Sequence, residues 1–134
     1  RARLDRALRL LLEGARLVAV QKNRYGHGPD GLEIDAGAFV AALEYSAGVE
    51  SVVVGKPNPA FFRAALDDLG LEPEEVVAVG DDLRSDVKGA QAAGIRAVLV
   101  RTGKYRASDE SGRGIVPEAV LDSVRGLPAW LGLA

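Results

Sequence analysis

The sequence predicts an α/β fold in which parallel strands alternate with helices. Short apolar runs recur through the second part of the chain, and a turn and a segment with helical spacing follow each of them. Glycine also closes several helical segments, as at Gly70 and Gly94. These observations together predict a parallel sheet with right-handed crossovers from Ser51 onward.

Composition is that of an ordinary globular protein. The 134 residues are 48% hydrophobic and 27% charged, and the formal net charge is −2. This balance gives no sign of a nucleic-acid partner or of binding to an anionic membrane surface. The chain has no cysteine, which excludes disulfides and fits a reducing, cytoplasmic location. No apolar run approaches the roughly 20 residues of a membrane span.

The N-terminal part is organised differently from the rest. A leucine stripe predicts a helix over residues 4–13, and an apolar run predicts a strand over 17–20. Glycines around Pro29 predict a hairpin that returns through residues 32–34. A helix followed by a hairpin is not a strand–helix–strand unit. A domain boundary is therefore predicted near residue 35.

Helices and strands alternate after this boundary. Helices are predicted over 37–46, 59–69, 85–93 and 128–133, and strands over 51–54, 76–79 and 97–100. In the first of these helices we expect Phe39, Val40 and Leu43 to face inward, and one face of the second helix carries Phe62, Ala65, Leu66 and Leu69. Asn58 is placed to cap the second of these helices, and Pro59 fits its first position. A long loop over 102–117 precedes residues 120–124, whose β-branched ends favour a strand over a helix.

Charged side chains follow two of the predicted strands where each strand ends. Lys56 follows one strand, and Asp81, Asp82 and Asp86 follow the next. Open α/β sheets bind ligands at the carboxyl ends of their strands. Carboxylates crowded there repel one another unless a cation joins them, and oxygen ligands suit Mg²⁺. Because lysine offers a point charge to phosphate oxygens, the pattern predicts a phosphate site with its metal.

Each of these residues also has a purely structural interpretation. Asp81 is placed to cap the next helix, and Asp86 lies where a carboxylate stabilises a helix dipole. Lys56 could be a solvated loop lysine. The two motifs on successive strands favour the functional interpretation for Lys56 and Asp81. For Asp86 the functional and the structural interpretation are about equally supported.

The motifs resemble those of a known family. Residues 55–57 (Gly-Lys-Pro) and 80–86 (Gly-Asp-Asp-Leu-Arg-Ser-Asp) are similar to the third and fourth motifs of haloacid dehalogenase-like hydrolases. The similarity continues through residues 89–95 and 100–105. It indicates the capped NagD-like branch, in the neighbourhood of phospholysine phosphohistidine inorganic pyrophosphate phosphatase.

The resemblance implies a fold and a domain arrangement. The fold would be a doubly wound parallel sheet of haloacid dehalogenase type, represented only in part, with the tail of an inserted cap. Residues 1–35 would be the C-terminal end of the cap domain. Residues 36–134 would be the C-terminal part of the core hydrolase domain.

The resemblance also implies an activity and its residues. The reaction would be Mg²⁺-dependent hydrolysis of a small phosphorylated substrate, either an ester, a phosphoramidate or a pyrophosphate, through an aspartyl-phosphate. Lys56 and Asp81 would be catalytic, and Lys56 would also bind the substrate. Asp81 and Asp86 would hold the metal, while Asp82 occupies a variable position of lesser importance.

The family's nucleophile does not appear in these residues. It belongs to an Asp-x-Asp motif after a strand, and no such sequence follows an apolar run here. We therefore expect an N-terminal part to supply the nucleophile and the central strand, and the present chain alone to be inactive. An isolated chain would expose sheet edges and apolar faces. Its N-terminal half, a partner chain or a homodimer would cover them.

Two other classes of protein are compatible with parts of the pattern. A non-catalytic assembly or regulatory module would lack the nucleophile and use its sheet edge as a partner surface. A receiver-like or flavodoxin-like signalling domain also has carboxylates at strand ends. Its acidic pair, however, follows the first strand, whereas here the pair follows a late one.

The two alternatives, part of a longer hydrolase and a separate module, predict different masses for the native polypeptide. We expect intact mass spectrometry to give a value well above 14.1 kDa, because the nucleophile must lie outside these residues. A native mass of 14.1 kDa would instead favour a binding module.

Overall fold

The chain divides into two compact units, Arg1–Gly55 and Lys56–Ala134. The computed structural model describes residues 1–110 and 114–133. Each unit combines helices with parallel strands, which confirms the predicted α/β class. The boundary predicted near residue 35 is one between a cap domain and a core hydrolase domain, and it stays a prediction.

The first unit has two helices and four short strands. In chain order they are α1 (Ala2–Leu12), β1 (Val18–Ala19), β2 (Tyr25–Gly28), β3 (Gly31–Ile34), α2 (Ala36–Ala47) and β4 (Val52–Val53). Strands β1 and β4 pair in parallel, with Val18 opposite Val52. Strands β2 and β3 form an antiparallel hairpin. The predicted helices, strands and hairpin of this region are thus confirmed in type and order.

Helix α2 begins at a cap but does not bury the face that its sequence suggests. Asp35 accepts a hydrogen bond from the Ala36 N–H at 2.7 Å. The expectation that Phe39 faces inward is wrong, because this residue is 50% exposed. The helix is apolar nearly all round, so its pattern does not select one face. Its buried position is Gly37, where a Cβ would lie 2.3 Å from the Asn23 carbonyl oxygen.

Glu44 of α2 joins three segments of the first unit. Its carboxylate accepts hydrogen bonds from Lys22 Nζ at 2.6 and 2.7 Å. It also accepts from the Ser51 hydroxyl at 2.6 Å and the Ser51 N–H at 3.0 Å. These donors, Lys22 foremost, lower the pKa of Glu44 to about 2. The ionised carboxylate therefore connects α2 to the segment after β1 and to the residue before β4.

The second unit is built on a three-stranded parallel sheet. In chain order it contains α3 (Pro59–Leu69), β5 (Val77–Gly80), a π-helix (Leu83–Lys88), α4 (Gly89–Ala92), β6 (Arg96–Val100), β7 (Ala119–Leu121) and α5 (Leu127–Trp130). The strand order is β5–β6–β7, and both pairs are parallel. The preference for a strand near residue 120 is confirmed, although Val124 already begins a 3₁₀ turn.

Strand β6 is the centre of this unit. Four consecutive residues of β6 are buried, which is the pattern of a parallel strand covered on both faces. Helix α3 packs Phe62 and Leu66 into the same core, and the π-helix adds Leu83 and Val87. The expectation that Leu69 shares the buried face with Phe62 and Leu66 is wrong, because this residue is 57% exposed.

The helix after β5 differs from its prediction in start and type. It begins at Leu83 rather than Ser85, and its first six residues are a π-helix. Asp82, not Asp81 or Ser85, is the N-cap, because its Oδ1 accepts from the Arg84 and Ser85 N–H groups at 3.0 and 2.9 Å. The wider turn brings the N–H of Val87 to the Asp82 carbonyl at 3.4 Å.

The predicted loop over 102–117 contains a 3₁₀ turn at Ala107–Asp109. Residues 111–113 of this loop lie outside the described residues. Within the described ranges, none of the helices combines the length and apolar character needed to cross a bilayer.

The depressed pKa of Glu44 predicts a pH-dependent contribution to folding. Above the ordinary pKa of 4.5 the ionised carboxylate contributes fully, and the contribution is lost as pH falls toward 2. NMR titration of the Glu44 carboxyl in the full-length protein should give a midpoint of about 2. Lys22→Met should raise that midpoint toward 4.5, whereas Lys88→Met, which changes an exposed lysine of the other unit, should not. Equal midpoints in all three proteins would contradict the assignment.

Candidate active site

The turn after β5 brings three aspartates to the end of that strand. The strand ends at Gly80, and a Cβ at this position would lie 2.2 Å from Oδ2 of Asp86. Glycine is therefore needed at this point, because the Asp86 carboxylate folds back against the strand end. A side chain on residue 80 would occupy the space that the carboxylate fills.

Asp86 is the most constrained residue of the site. Its residue exposure is 8%, and Oδ1 accepts a hydrogen bond from Lys56 Nζ at 2.7 Å. Oδ2 accepts from the backbone N–H groups of Asp81 and Asp82, both at 3.1 Å. Both oxygens of the buried carboxylate are thus satisfied, and its charge is balanced by a lysine ammonium. The predicted site residues Lys56 and Asp86 are brought into direct contact.

Lys56 reaches the aspartate from the segment before α3. The Asn58 side chain accepts from the Ala60 N–H at 2.9 Å, which confirms the predicted cap. The Lys56–Pro57 peptide bond is cis. The Lys56 side chain is 45% exposed. Among the described residues Asp86 is the acceptor of Nζ, so the ammonium keeps donors directed to solvent.

Gly89 sets the distance between this segment and the helix after the acidic turn. A Cβ on Gly89 would lie 2.6 Å from a ring carbon of Phe62 and 3.0 Å from the Cα of Pro57. The close approach holds the residue after Lys56 against α4. The sequence alone does not single out Gly89, because there it forms only part of a helical segment.

Asp81 and Asp82 have different environments although they are adjacent. Asp82 caps the π-helix, so the structural interpretation proposed for Asp81 belongs to its neighbour. Asp81 Oδ2 accepts a hydrogen bond from the Lys104 N–H at 2.7 Å. Within the described part of the chain, Asp81 Oδ1 has no hydrogen-bond donor. One hard carboxylate oxygen therefore remains available next to the Lys56–Asp86 pair, to which the Asp81 backbone is bonded.

The contact with Lys104 was not predicted from the sequence. Lys104 lies in the turn after β6 and is 23 residues away from Asp81. Its neighbour Gly103 has a φ of +53°, and a Cβ there would lie 1.8 Å from Asp81 Oδ2. A glycine three residues after the end of β6 is the signal that could have indicated a close approach.

The carboxylate chemistry fits a magnesium ion at Asp81. Mg²⁺ is bound in proteins by one or two carboxylates together with substrate oxygens and water, rather than by a complete protein cage. No group of three or more potential metal-ligating His, Cys, Asp or Glu residues occurs in residues 1–110 and 114–133. Asp81 would thus be one ligand of such an ion. The role of Asp86 as a second ligand stays a prediction, and its three hydrogen bonds suit the positioning of Lys56.

Comparison with known proteins places this chain in a family. The family model for haloacid dehalogenase-like hydrolases matches residues 53–127, a range that contains Lys56, all three aspartates and Gly103. The chain belongs to the haloacid dehalogenase-like hydrolases. The predicted resemblance is therefore confirmed.

Curated relatives agree with this assignment. The chain is 56% identical over 107 residues to haloacid dehalogenase-like hydrolase domain-containing protein 2 of Bos taurus, covering 80% of this chain and 41% of that protein. It is 49% identical over 109 residues to phospholysine phosphohistidine inorganic pyrophosphate phosphatase of Xenopus laevis, covering 80% and 40%. The chain thus spans about two fifths of the length of these relatives.

Solved structures of haloacid dehalogenase-like phosphatases share the fold. The p-nitrophenyl phosphatase of Archaeoglobus fulgidus gives a TM-score of 0.85 at 34% identity, over 95% of this chain and 51% of that one. NagD of E. coli gives 0.78 at 32% identity, over 90% and 47%. The glycerol phosphate phosphatase of Mycobacterium tuberculosis, in complex with magnesium, gives 0.83 at 30% identity, over 95% and 39%. These likenesses confirm a haloacid dehalogenase-type α/β fold.

The hydrogen bonds of Asp86 predict an asymmetry between two conservative substitutions. Asp86→Asn leaves one side-chain acceptor oxygen for three donors, so a buried donor loses its partner. We expect it to lower the free energy of unfolding of the full-length protein by about 1–3 kcal/mol. Asp82→Asn should have little effect, because asparagine caps helices as well as aspartate does. Urea denaturation measures both variants, and equal losses would contradict the role of Asp86.

Proposed function

We propose that the protein containing this chain is a Mg²⁺-dependent phosphatase whose substrate is a phosphate ester, a phosphoramidate or a pyrophosphate. Membership of the haloacid dehalogenase-like hydrolases supports hydrolase chemistry. The names of the relatives support phosphatase activity on each of these bond types. The observation that carries the proposal is the Lys56–Asp86 ion pair, with an open carboxylate oxygen of Asp81 beside it.

Lys56 would bind the phosphoryl group. Its ammonium is held by Asp86 at 2.7 Å, while its remaining N–H donors face solvent. Phosphoryl oxygens are strong acceptors for such donors, and the interaction strengthens where water is excluded. Because Asp86 holds the ammonium in place, Lys56 would have little freedom left to lose when substrate binds.

Asp81 would supply a metal-ligating oxygen. A bound Mg²⁺ would neutralise phosphate charge and so permit an anionic nucleophile to approach. Asp81 is suited to this role because one of its oxygens is fixed by the Lys104 N–H and the other has no donor within the described residues. Asp86, as the second predicted metal residue, would act at the same site through its contacts with Lys56 and the turn.

The nucleophile would lie outside this chain. In the proposed reaction an aspartate carboxylate attacks phosphorus and the leaving group departs with its bonding electrons. Water then hydrolyses the aspartyl-phosphate, and inorganic phosphate is released. On this proposal Lys56 and Asp81 are the catalytic residues present here, and these 134 residues alone would be inactive.

Substitution of Asp81 tests the proposal in the full-length protein. Asp81→Asn should lower Mg²⁺-dependent hydrolysis of p-nitrophenyl phosphate by at least about 100-fold, because a neutral amide oxygen binds Mg²⁺ more weakly than a charged carboxylate oxygen does. Circular dichroism should remain that of the unsubstituted protein. Asp68→Asn, at an exposed position of α3, is the matched control and should keep its activity. Unchanged turnover in Asp81→Asn would refute the metal assignment.

A further inference from the structure

We propose that the turn formed by Gly103 and Lys104 is a positioning element that orients the Asp81 carboxylate for metal binding. This inference rests on the proposed function, since it assigns a role toward the ion that Asp81 would hold. The turn lies outside residues 55–57 and 80–86, which match the third and fourth motifs, although it falls within the further similarity over residues 100–105.

The contact itself selects one oxygen of the carboxylate. The Lys104 N–H donates to Asp81 Oδ2 at 2.7 Å, a short hydrogen bond to a charged acceptor. A carboxylate held at one oxygen loses much of its rotational freedom, and its other oxygen is left in a defined direction. Groups that hydrogen-bond to metal-ligating carboxylates commonly govern metal affinity in this way.

Gly103 is required for the close approach. Its φ of +53° is in the left-handed region, which disfavours residues with a side chain. A Cβ on this residue would lie 1.8 Å from Asp81 Oδ2 and 2.9 Å from Cγ. The aspartate or the turn would have to move to accommodate it. A methyl group at residue 103 is therefore a selective way to break the contact.

The turn is anchored through Tyr105, the residue that follows Lys104. The Tyr105 N–H donates to the Thr102 carbonyl at 3.0 Å and closes the turn. The partly buried Tyr105 side chain packs against the core of the second unit, and its hydroxyl donates to Glu110. The residue next to the donor N–H is thus fixed at both its backbone and its side chain.

Arg101, Glu110, Asp122 and Tyr105 form a connected group, called here the Arg101 cluster. The Arg101 guanidinium donates to Glu110 at 2.8 Å and to Asp122 at 2.7 Å. The bond from Arg101 lowers the pKa of Glu110, and the bond to Glu110 raises the pKa of Tyr105. Near neutral pH the carboxylate therefore stays an acceptor and the phenol a donor. The Arg101 cluster connects the end of β6, the loop and the residue after β7.

A turn that merely packs against Asp81 would give a different result from one that orients it. In the first case, substitution changes stability alone. In the second, it changes magnesium affinity beyond what the loss of stability explains. The two cases are separated by comparing Gly103 with another glycine in the same backbone region that has open space around it.

Isothermal titration calorimetry of the full-length protein with MgCl₂, without substrate, measures this affinity directly. We expect Gly103→Ala to raise the Kd for Mg²⁺ about tenfold or more. Gly70→Ala is the matched control, because Gly70 has a φ of +66° and nothing lies within 4 Å of the position that a Cβ would take there. It should lower the thermal midpoint through the same kind of backbone strain while leaving the Kd for Mg²⁺ unchanged.

A second variant decides the question if Gly103→Ala does not fold. Tyr105→Phe keeps the ring in the core and removes the hydroxyl that joins the turn to the Arg101 cluster. It should raise the Kd for Mg²⁺ a few-fold, and the activation constant for Mg²⁺ in turnover should rise with it while kcat at saturating Mg²⁺ changes less. An unchanged Kd in the folded variants overturns the inference alone. No magnesium binding by the unsubstituted protein overturns the proposed function, and the inference with it.

Discussion

The geometry of the candidate site depends on the three hydrogen bonds that Asp86 accepts. One carboxylate oxygen accepts from the Lys56 ammonium, and the other accepts from the backbone N–H groups of Asp81 and Asp82. Hydrogen bonds and a paired charge offset the desolvation of a buried carboxylate. The same bonds hold the lysine, the end of β5 and the segment before the π-helix against one carboxylate. Gly80, which has no side chain, leaves the space that the Asp86 carboxylate occupies.

The fold class and the two charged strand ends could be predicted because they depend on local patterns. Apolar runs, a capping Asn58 and glycines after helices act over a few residues, and the structure follows them. The choice between Asp81 and Asp82 as the cap could not be predicted, because either side chain can cap a helix. The decision comes from Asp86, which fixes the turn and so directs Asp82 toward the helix.

Long-range contacts account for most of what the sequence did not indicate. The hydrogen bond from Lys104 to Asp81 joins the segments that follow the paired strands β5 and β6, and the sequence of neither segment alone predicts this contact. The outward positions of Phe39 and Leu69 have a similar origin, because apolar periodicity states which faces can be buried and not which neighbour covers them. Roles for Lys56, Asp81 and Asp86 were suggested chiefly by resemblance to the family, and the structure adds how their side chains are held.

Every hydrogen bond described for the Lys56, Asp81 and Asp86 side chains lies within residues 56–104. The lysine and the two aspartates of the candidate site are therefore encoded in one contiguous segment of the chain. Such a segment can be inherited, exchanged between relatives or joined to a different preceding segment without separating the residues that form these hydrogen bonds. Recombination at the Gly55–Lys56 junction would transfer lysine and aspartates together, whereas a crossover inside α3 would separate the ammonium from its counter-ion.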